Sequence, residues 1–169
     1  MARFLYSCEV PDASLLTDDI RALIGRSTPL DPVKVTMRYV RRSLEVYLGP
    51  EEAETRAARL QPGDAVPGYV IEALSSESDT PEFPALLPNS ILISNEWQFE
   101  RPFRLGEQLN VAFRLLDIAE RFGGKFGYSL DFRTETEFSD STGATVARSG
   151  RSMMQYDAAV AGGAGEGGA

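Results

Sequence analysis

The chain contains no histidine among its 169 residues. Histidine is the side chain most often used as a general base near neutral pH, and it completes the Ser-His-Asp and Cys-His catalytic groups. Its absence excludes those groups from this chain and also excludes zinc sites that use imidazole ligands. We predict no metal site and no imidazole-based chemistry within this polypeptide.

Cysteine is almost absent as well, since Cys8 is the single one. One cysteine cannot form an internal disulfide, which favours a reducing cytoplasm, and we interpret Cys8 as a small buried apolar residue. Apolar runs of membrane-spanning length are missing, and so is the pattern of a secretory leader at the start. We therefore expect a cytoplasmic protein without a membrane segment.

Basic residues are outnumbered, with 17 against 25 acidic ones and a formal net charge of −8. A surface of that charge repels phosphate backbones and anionic lipids, so we expect neither nucleic acid nor a membrane surface as a partner. The densest basic cluster consists of Arg38, Arg41 and Arg42. It is typical of a solvated helix face, and the alternative is a site for one anionic ligand such as a phosphorylated cofactor.

The N-terminal half has the apolar spacing of helices. We predict a short helix over residues 15–25 and a second helix over Met37–Leu48, preceded by Thr36 as a candidate cap. Between them, only residues 33–35 read as a short extended segment. From residue 61 to residue 88 the chain is rich in Pro, Gly, Ser and acidic residues, which predicts a long loop or lid.

The C-terminal half changes to the two-residue period of β-strands. Alternation over residues 91–100 places Ile91, Ile93, Trp97 and Phe99 on one face of a strand. The next strand starts near residue 109, and its phase breaks at Leu116, as a bulge would cause. Two further strands are predicted, over residues 126–138 and 145–156, and hairpin turns join all three.

The length suits one domain, since two full cores in 169 residues would be unusual. Helices followed by hairpin-linked strands predict an α+β fold with an antiparallel sheet. We place this domain at residues 1–157. Residues 158–169 are rich in Ala and Gly, and we predict a disordered tail there.

Four stretches, taken in order, resemble one known family. They are residues 16–26, 40–46, 63–67 and 96–107, the last containing Glu-Trp-Gln-Phe-Glu-Arg-Pro and followed by Asp-Ser-Thr-Gly at 140–143. Together they are similar to the MaoC-like dehydratases, and in particular to the FAS1-like or MaoC N-terminal dehydratase branch. The resemblance implies a hotdog fold, in which an antiparallel sheet wraps around a central helix, here residues 40–46.

The sequence departs from that family at its catalytic residues. Catalytic members carry an aspartate and a histidine in an Asp-x-Asn-Pro-x-His run just after the central helix, and these activate the water that adds to the enoyl double bond. Here the corresponding stretch, residues 45–52, reads Glu-Val-Tyr-Leu-Gly-Pro-Glu-Glu, with Gly49 in the place of the aspartate. We therefore carry no catalytic residue over from the family.

The resemblance then implies a non-catalytic subunit that shapes the substrate tunnel of a two-chain enoyl-CoA or enoyl-ACP hydratase. Its partner would be a second, histidine-bearing hotdog chain, or otherwise a second copy of itself. The substrate would be an acyl thioester, with no other cofactor. Candidate substrate-binding residues are Tyr47, Pro67, Gly68, Tyr69 and Trp97, although Tyr47 and Trp97 also read as core residues and residues 67–88 as an ordinary surface loop.

Two other functions stay open at this point. One is a self-sufficient thioesterase that uses a carboxylate, with Glu45 as the first candidate and Asp79 and Glu82 behind it. Glu45 equally reads as an ion-pair partner of Arg41 or Arg42 on the same helix. The other is a non-enzymatic acyl-CoA-binding assembly partner.

Overall fold

The computed structural model describes residues 14–77, 84–123 and 126–161. Within these ranges the helices are α1 (Asp18–Arg21), α2 (Met37–Leu48), α3 (Pro50–Ala57), α4 (Val70–Glu77) and α5 (Ala158–Ala161). The strands are β1 (Ser27–Lys34), β2 (Asn89–Phe99), β3 (Gln108–Arg121), β4 (Ser129–Ser139) and β5 (Thr145–Tyr156). Among the described helices, none is long and apolar enough to cross a bilayer.

The five strands form one sheet in the order β1-β3-β4-β5-β2, and every neighbouring pair is antiparallel. This confirms the predicted α+β fold with an antiparallel sheet. The pairing of β3 with β4 shifts between Leu115 and Asp117, which confirms the bulge predicted at Leu116. The last strand has the predicted bounds, Thr145–Tyr156, and the turn at Gly143 precedes its start.

Strand β1 is longer than its sequence suggested, since it includes Pro29 and Pro32. Proline cannot donate a backbone hydrogen bond, so it is tolerated in a sheet at an edge strand or a bulge. Both conditions hold here, because β1 lies at the edge and its pairing with β3 shifts between Leu30 and Val33. The prediction of a short extended segment at 33–35 was wrong for this reason.

The helix that lies inside the fold is α4, within the segment predicted as a loop. Its residues Val70, Ile71 and Leu74 are fully buried. The predicted central helix, α2, has the expected bounds Met37–Leu48, but only Val40, Ser43 and Leu44 are buried among its twelve residues. The assignment of residues 40–46 as the central helix was wrong, because an amphipathic helix covers a core from outside.

Strand β2 presents its apolar side chains differently from the prediction. Its pairing with β5 shifts between Leu92 and Ser94, so Ile93 is an extra residue in the strand. Trp97 pairs with Ser149 and therefore lies on the helix-facing side of the sheet, whereas Ile91 pairs with Met154 and lies on the opposite side. The expectation that Ile91 and Trp97 share a face was wrong because one bulge reverses the alternation.

The N-terminal helix is also shorter than predicted. Only Asp18–Arg21 is helical, with Thr17 Oγ1 accepting a hydrogen bond from the Ile20 backbone N–H at 3.4 Å. Gly25 then adopts a φ of +79°, and its N–H donates to the Leu115 carbonyl at 2.8 Å. Pairing with β3 therefore ends the helix and ties this segment to the sheet.

The start of the predicted tail is ordered in the structure. Residues Ala158–Ala161 form α5, and the Ala158 N–H donates to Asn89 Oδ1 at 3.0 Å, so the prediction of disorder from residue 158 was wrong for these four. Residues 162–169 lie outside the described residues, as do Cys8, Asp79 and Glu82. The domain boundary at residue 157 stays a prediction.

Candidate substrate-binding site

Two tyrosines form one wall of a cleft between the end of α2 and the start of α4. The rings of Tyr47 and Tyr69 stack with centroids 4.3 Å apart and planes inclined by 30°. Tyr47 remains half exposed, while burial raises the pKa of Tyr69, an effect that the nearby Arg56 charge opposes. The cleft has a volume of about 330 Å³ and is lined by Arg42, Ser43, Val46, Tyr47, Tyr69, Glu72 and Ala73. This volume is at the lower end of the range for small-molecule sites.

Gly68 brings the start of α4 close to strand β2. A Cβ atom at this position would lie 3.0 Å from Cζ of Phe99, which is tighter than nine in ten real Cβ contacts. Any other residue would require the Phe99 ring to shift, so glycine allows the ring to lie directly against the backbone. Pro67 precedes this contact, and its carbonyl accepts a hydrogen bond from the Val70 N–H at 3.1 Å at the start of the helix.

Glu72 connects α4 to two strands through its carboxylate. One oxygen, Oε1, accepts hydrogen bonds from Trp97 Nε1 at 2.9 Å and from Asn95 Nδ2 at 3.0 Å. The other, Oε2, lies 3.6 Å from a guanidinium nitrogen of Arg151. A charged acceptor strengthens each of these bonds, so Glu72 fixes the indole ring of Trp97 at the side of the cleft.

The structure brings four of the five sequence-predicted residues around Glu72. Tyr47 and Tyr69 line the cleft together with Glu72, Trp97 donates to Glu72, and Gly68 directly precedes Tyr69. The interpretation of Tyr47 as a core residue was wrong, because its side chain is 52% exposed. Trp97 is 38% exposed, at the rim rather than in the core. That these residues bind substrate stays a prediction.

Sequence reasoning missed Glu72 altogether. A glutamate in a stretch rich in Pro, Ser and acidic residues reads as a solvated loop residue. The only available signal was the apolar set Val70, Ile71 and Leu74, whose spacing fits one side of a helix. The partners of Glu72 are 23 to 79 residues away in the chain, so no local pattern reveals them.

Residues 45–52, compared above with the catalytic run of the MaoC-like dehydratases, span the end of α2, Gly49 and the start of α3. Gly49 ends α2 with a φ of +81°, and it lines an open hollow of about 530 Å³ together with Leu48, Pro50, Glu51, Glu52 and Thr55. Glu45 is exposed on α2. Its predicted partner Arg41 instead lies 3.2 Å from Glu54 of α3, because the two helices pack side by side.

The three arginines of the predicted basic cluster have different surroundings. Arg41 pairs with Glu54, and the guanidinium of Arg38 lies 5.9 Å from the centre of the Tyr39 ring. Arg42 alone among the three lines the cleft. Within the described residues, no three His, Cys, Asp or Glu side chains converge as a metal site would require.

Comparison with known proteins identifies the fold. No family model and no curated protein matches the chain. Solved structures do match: the ChsH1-ChsH2 complex of Mycobacterium tuberculosis shares 15% identity, covering 78% of this chain and 83% of that one with a TM-score of 0.55. The MaoC-like dehydratase of Rhodospirillum rubrum shares 19% identity over 79% and 92%, at 0.53. The HadBC 3R-hydroxyacyl-ACP dehydratase complex of M. tuberculosis shares 16% over 78% and 96%, at 0.51.

Proposed function

We propose that this chain, which has the hotdog fold of the MaoC-like dehydratases, is the substrate-shaping subunit of a two-chain enoyl-thioester hydratase. Addition of water to an enoyl thioester needs a positioned acid and base. With no histidine in the chain and Gly49 at the α2–α3 junction, the base would come from a histidine-bearing partner of the same fold. The observation that carries the proposal is an aromatic cleft near a helix junction without histidine and near the edge strand β2.

The partner would join the sheet at β2. Within the described residues no strand pairs with its outer edge, and its residues Ile91, Leu92 and Ile93 are 45%, 52% and 57% exposed. An exposed apolar edge strand is a ready site for pairing with another chain. The similar HadBC and ChsH1-ChsH2 structures are complexes, which supports a second chain here. A cytoplasmic location is also part of the proposal, supported by the single cysteine.

The cleft would hold the acyl group of the thioester. Its wall is the Tyr47–Tyr69 stack, which offers apolar area at small entropic cost. Trp97 lies at the rim, held by Glu72, and would contact the acyl chain where it enters from the partner's side. Whether CoA or a carrier protein bears the acyl group depends on the partner's surface.

Hydrolysis is less well supported. A thioesterase needs a free carboxylate at the thioester, but Glu45 is exposed on α2. Glu72, the carboxylate that lines the cleft, is engaged by Trp97 and Asn95. Its Oε1 already accepts two hydrogen bonds, so this carboxylate is not free to act on a thioester.

Purification from the native cell tests the proposal most directly. We expect a second hotdog chain with an Asp/His pair to co-purify, and the complex to hydrate enoyl thioesters at about 10 turnovers per second. The chain alone should show no hydratase activity. Trp97→Ala should lower the hydratase activity of the complex on long acyl chains more than on short ones. A purified homo-oligomer that hydrates crotonyl-CoA at an ordinary enzymatic rate would contradict it.

A further inference from the structure

Two neighbouring cross-strand rows on the helix-facing side of the sheet are polar. One row pairs Thr136 of β4 with Ser149 of β5, and the next pairs Thr134 with Arg151. We call these four residues the polar belt. The rows on either side of it are apolar: Phe138 with Ala147, and Phe132 with Met153.

The polar belt divides the core of the protein. Phe138 and Ala147 belong to one cluster of buried apolar residues, and Phe132 belongs to a second, separate cluster. Thr134, Thr136 and Ser149 are only 7%, 8% and 2% exposed, so the belt is not a surface feature. Polar side chains are costly at such positions unless they are hydrogen-bonded, and apolar residues of similar size would serve packing better.

Two buried hydroxyls have no hydrogen-bond partner within the described part of the chain: Oγ of Ser149, in the belt, and Oγ of Ser75, on α4. Ser75 is 4% exposed and follows Glu72 by three residues on α4, which places it on the helix face that contacts β2 and β5. Buried hydroxyls are almost always satisfied in native proteins. The Ser149 hydroxyl is therefore available to an atom that does not belong to the described residues.

The belt continues to the open edge of the sheet. Trp97 of β2 is the cross-strand partner of Ser149, and Asn95 is the partner of Arg151. Both side chains donate to Glu72, beside the cleft. Polar side chains thus run from the rim at Trp97 to the buried Ser149.

We propose that the polar belt receives an oxygen-bearing part of the acyl group, a hydroxyl or a ketone, located beyond the carbons at which the reaction occurs. The inference rests on the proposed function, since it names the substrate class of that site. A plain alkyl chain would leave the hydroxyl of Ser149 unpaired, whereas an oxygen atom would pair with it. Sites built to hydrogen-bond a polar group reject its deoxy analogue far more strongly than apolar pockets reject an extra methylene.

Isothermal titration with matched acyl-CoAs tests this inference. The ligands have one chain length and carry either no substituent or a hydroxyl or ketone at successive carbons. They are added to the full chain, together with any partner that co-purifies. We expect one oxygen position to bind about tenfold more tightly than the unsubstituted chain, the effect of one net hydrogen bond.

Serine variants show whether the belt is responsible. Ser149→Ala should reduce that tenfold preference to less than twofold and leave the unsubstituted chain's affinity unchanged. The matched control is Ser152→Ala, on the same strand but the opposite face, which should keep the preference. Thermal unfolding checks folding, and Ser149→Ala should not lower Tm, because it removes an unpaired hydroxyl.

The outcomes separate this inference from the proposed function. Equal affinity for all members of the series would overturn the inference and leave the hydratase subunit intact. A preference that survives Ser149→Ala, with a lowered Tm, would mean that the hydroxyl holds an internal water, and would also overturn it. No binding of any acyl-CoA, with or without a partner, would overturn the proposed function and the inference together.

Discussion

β1 and β2 form the two edges of the same sheet, and each contains a bulge, but only β1 also carries prolines and a terminal lysine. It holds two prolines, a shift in register between Leu30 and Val33, and Lys34 at its end. Proline, bulges and lysine are devices by which natural sheets protect an edge. β2 is longer, contains no proline and exposes three consecutive apolar residues at 91–93.

The two edges differ in how far the chain itself packs against them. On the β1 side, Val33 is buried in the larger cluster of core residues, so this edge strand already packs against the chain's own core. On the β2 side, the rim residue Trp97 and the entrance to the cleft lie beside the free edge. This asymmetry supports the proposed pairing of a partner at β2.

The largest expected effect is on association. Ile93→Lys places a charge on the open edge and should weaken binding to a partner, or to a second copy, by about 100-fold or more. Asp31→Lys is the matched control, because it adds a lysine to the β1 edge, where we expect no change. Sedimentation velocity measures both. If Ile93→Lys left the mass of the assembly unchanged, the β2 edge would not be the site of association.

A smaller effect should appear in the stability of the isolated chain. Val33→Ala removes a buried side chain at the β1 edge and should lower the free energy of unfolding by about 2 kcal/mol. Ile91→Ala removes a larger side chain, but it is 45% exposed and should cost less than about 0.5 kcal/mol. Urea unfolding of both variants gives the two values. Equal losses would show that β2 is already packed without a partner.

The smallest effect concerns the turn at the end of β2. Arg101 pairs there with Glu107 and Asp140, and hydrogen bonds from Thr142 and then Arg101 lower the pKa of Asp140 to about 2. The unfolded carboxyl titrates near 3.9, so this contribution is fully present above about pH 4 and is lost as the pH falls through 2. Asp140→Asn should unfold more easily than the parent at pH 6, and this difference should shrink by pH 2. A pH-independent difference in Tm would exclude the carboxylate as its cause.

Local signals were sufficient for much of the fold. Thr36 and Gly49 delimit α2, and the phase break at Leu116 marks the bulge in β3, because caps, turns and alternation act over a few residues. Helix α4 was missed for the opposite reason. Its apolar residues Val70, Ile71 and Leu74 span little more than one turn, and the surrounding Pro, Gly and Ser read as a loop.

The sequence by itself determined the absence of imidazole chemistry, the antiparallel α+β class and the aromatic residues of the candidate site. Only the tertiary structure decided that α4 is the central helix, that one extra residue at Ile93 places Trp97 on the helix-facing side, and that Glu72 meets Trp97. Composition and short-range periodicity can be recognised from residues that are close together in the sequence. Contacts between Glu72 and residues of β2 and β5 depend on strand order, which emerges only when distant segments pack together.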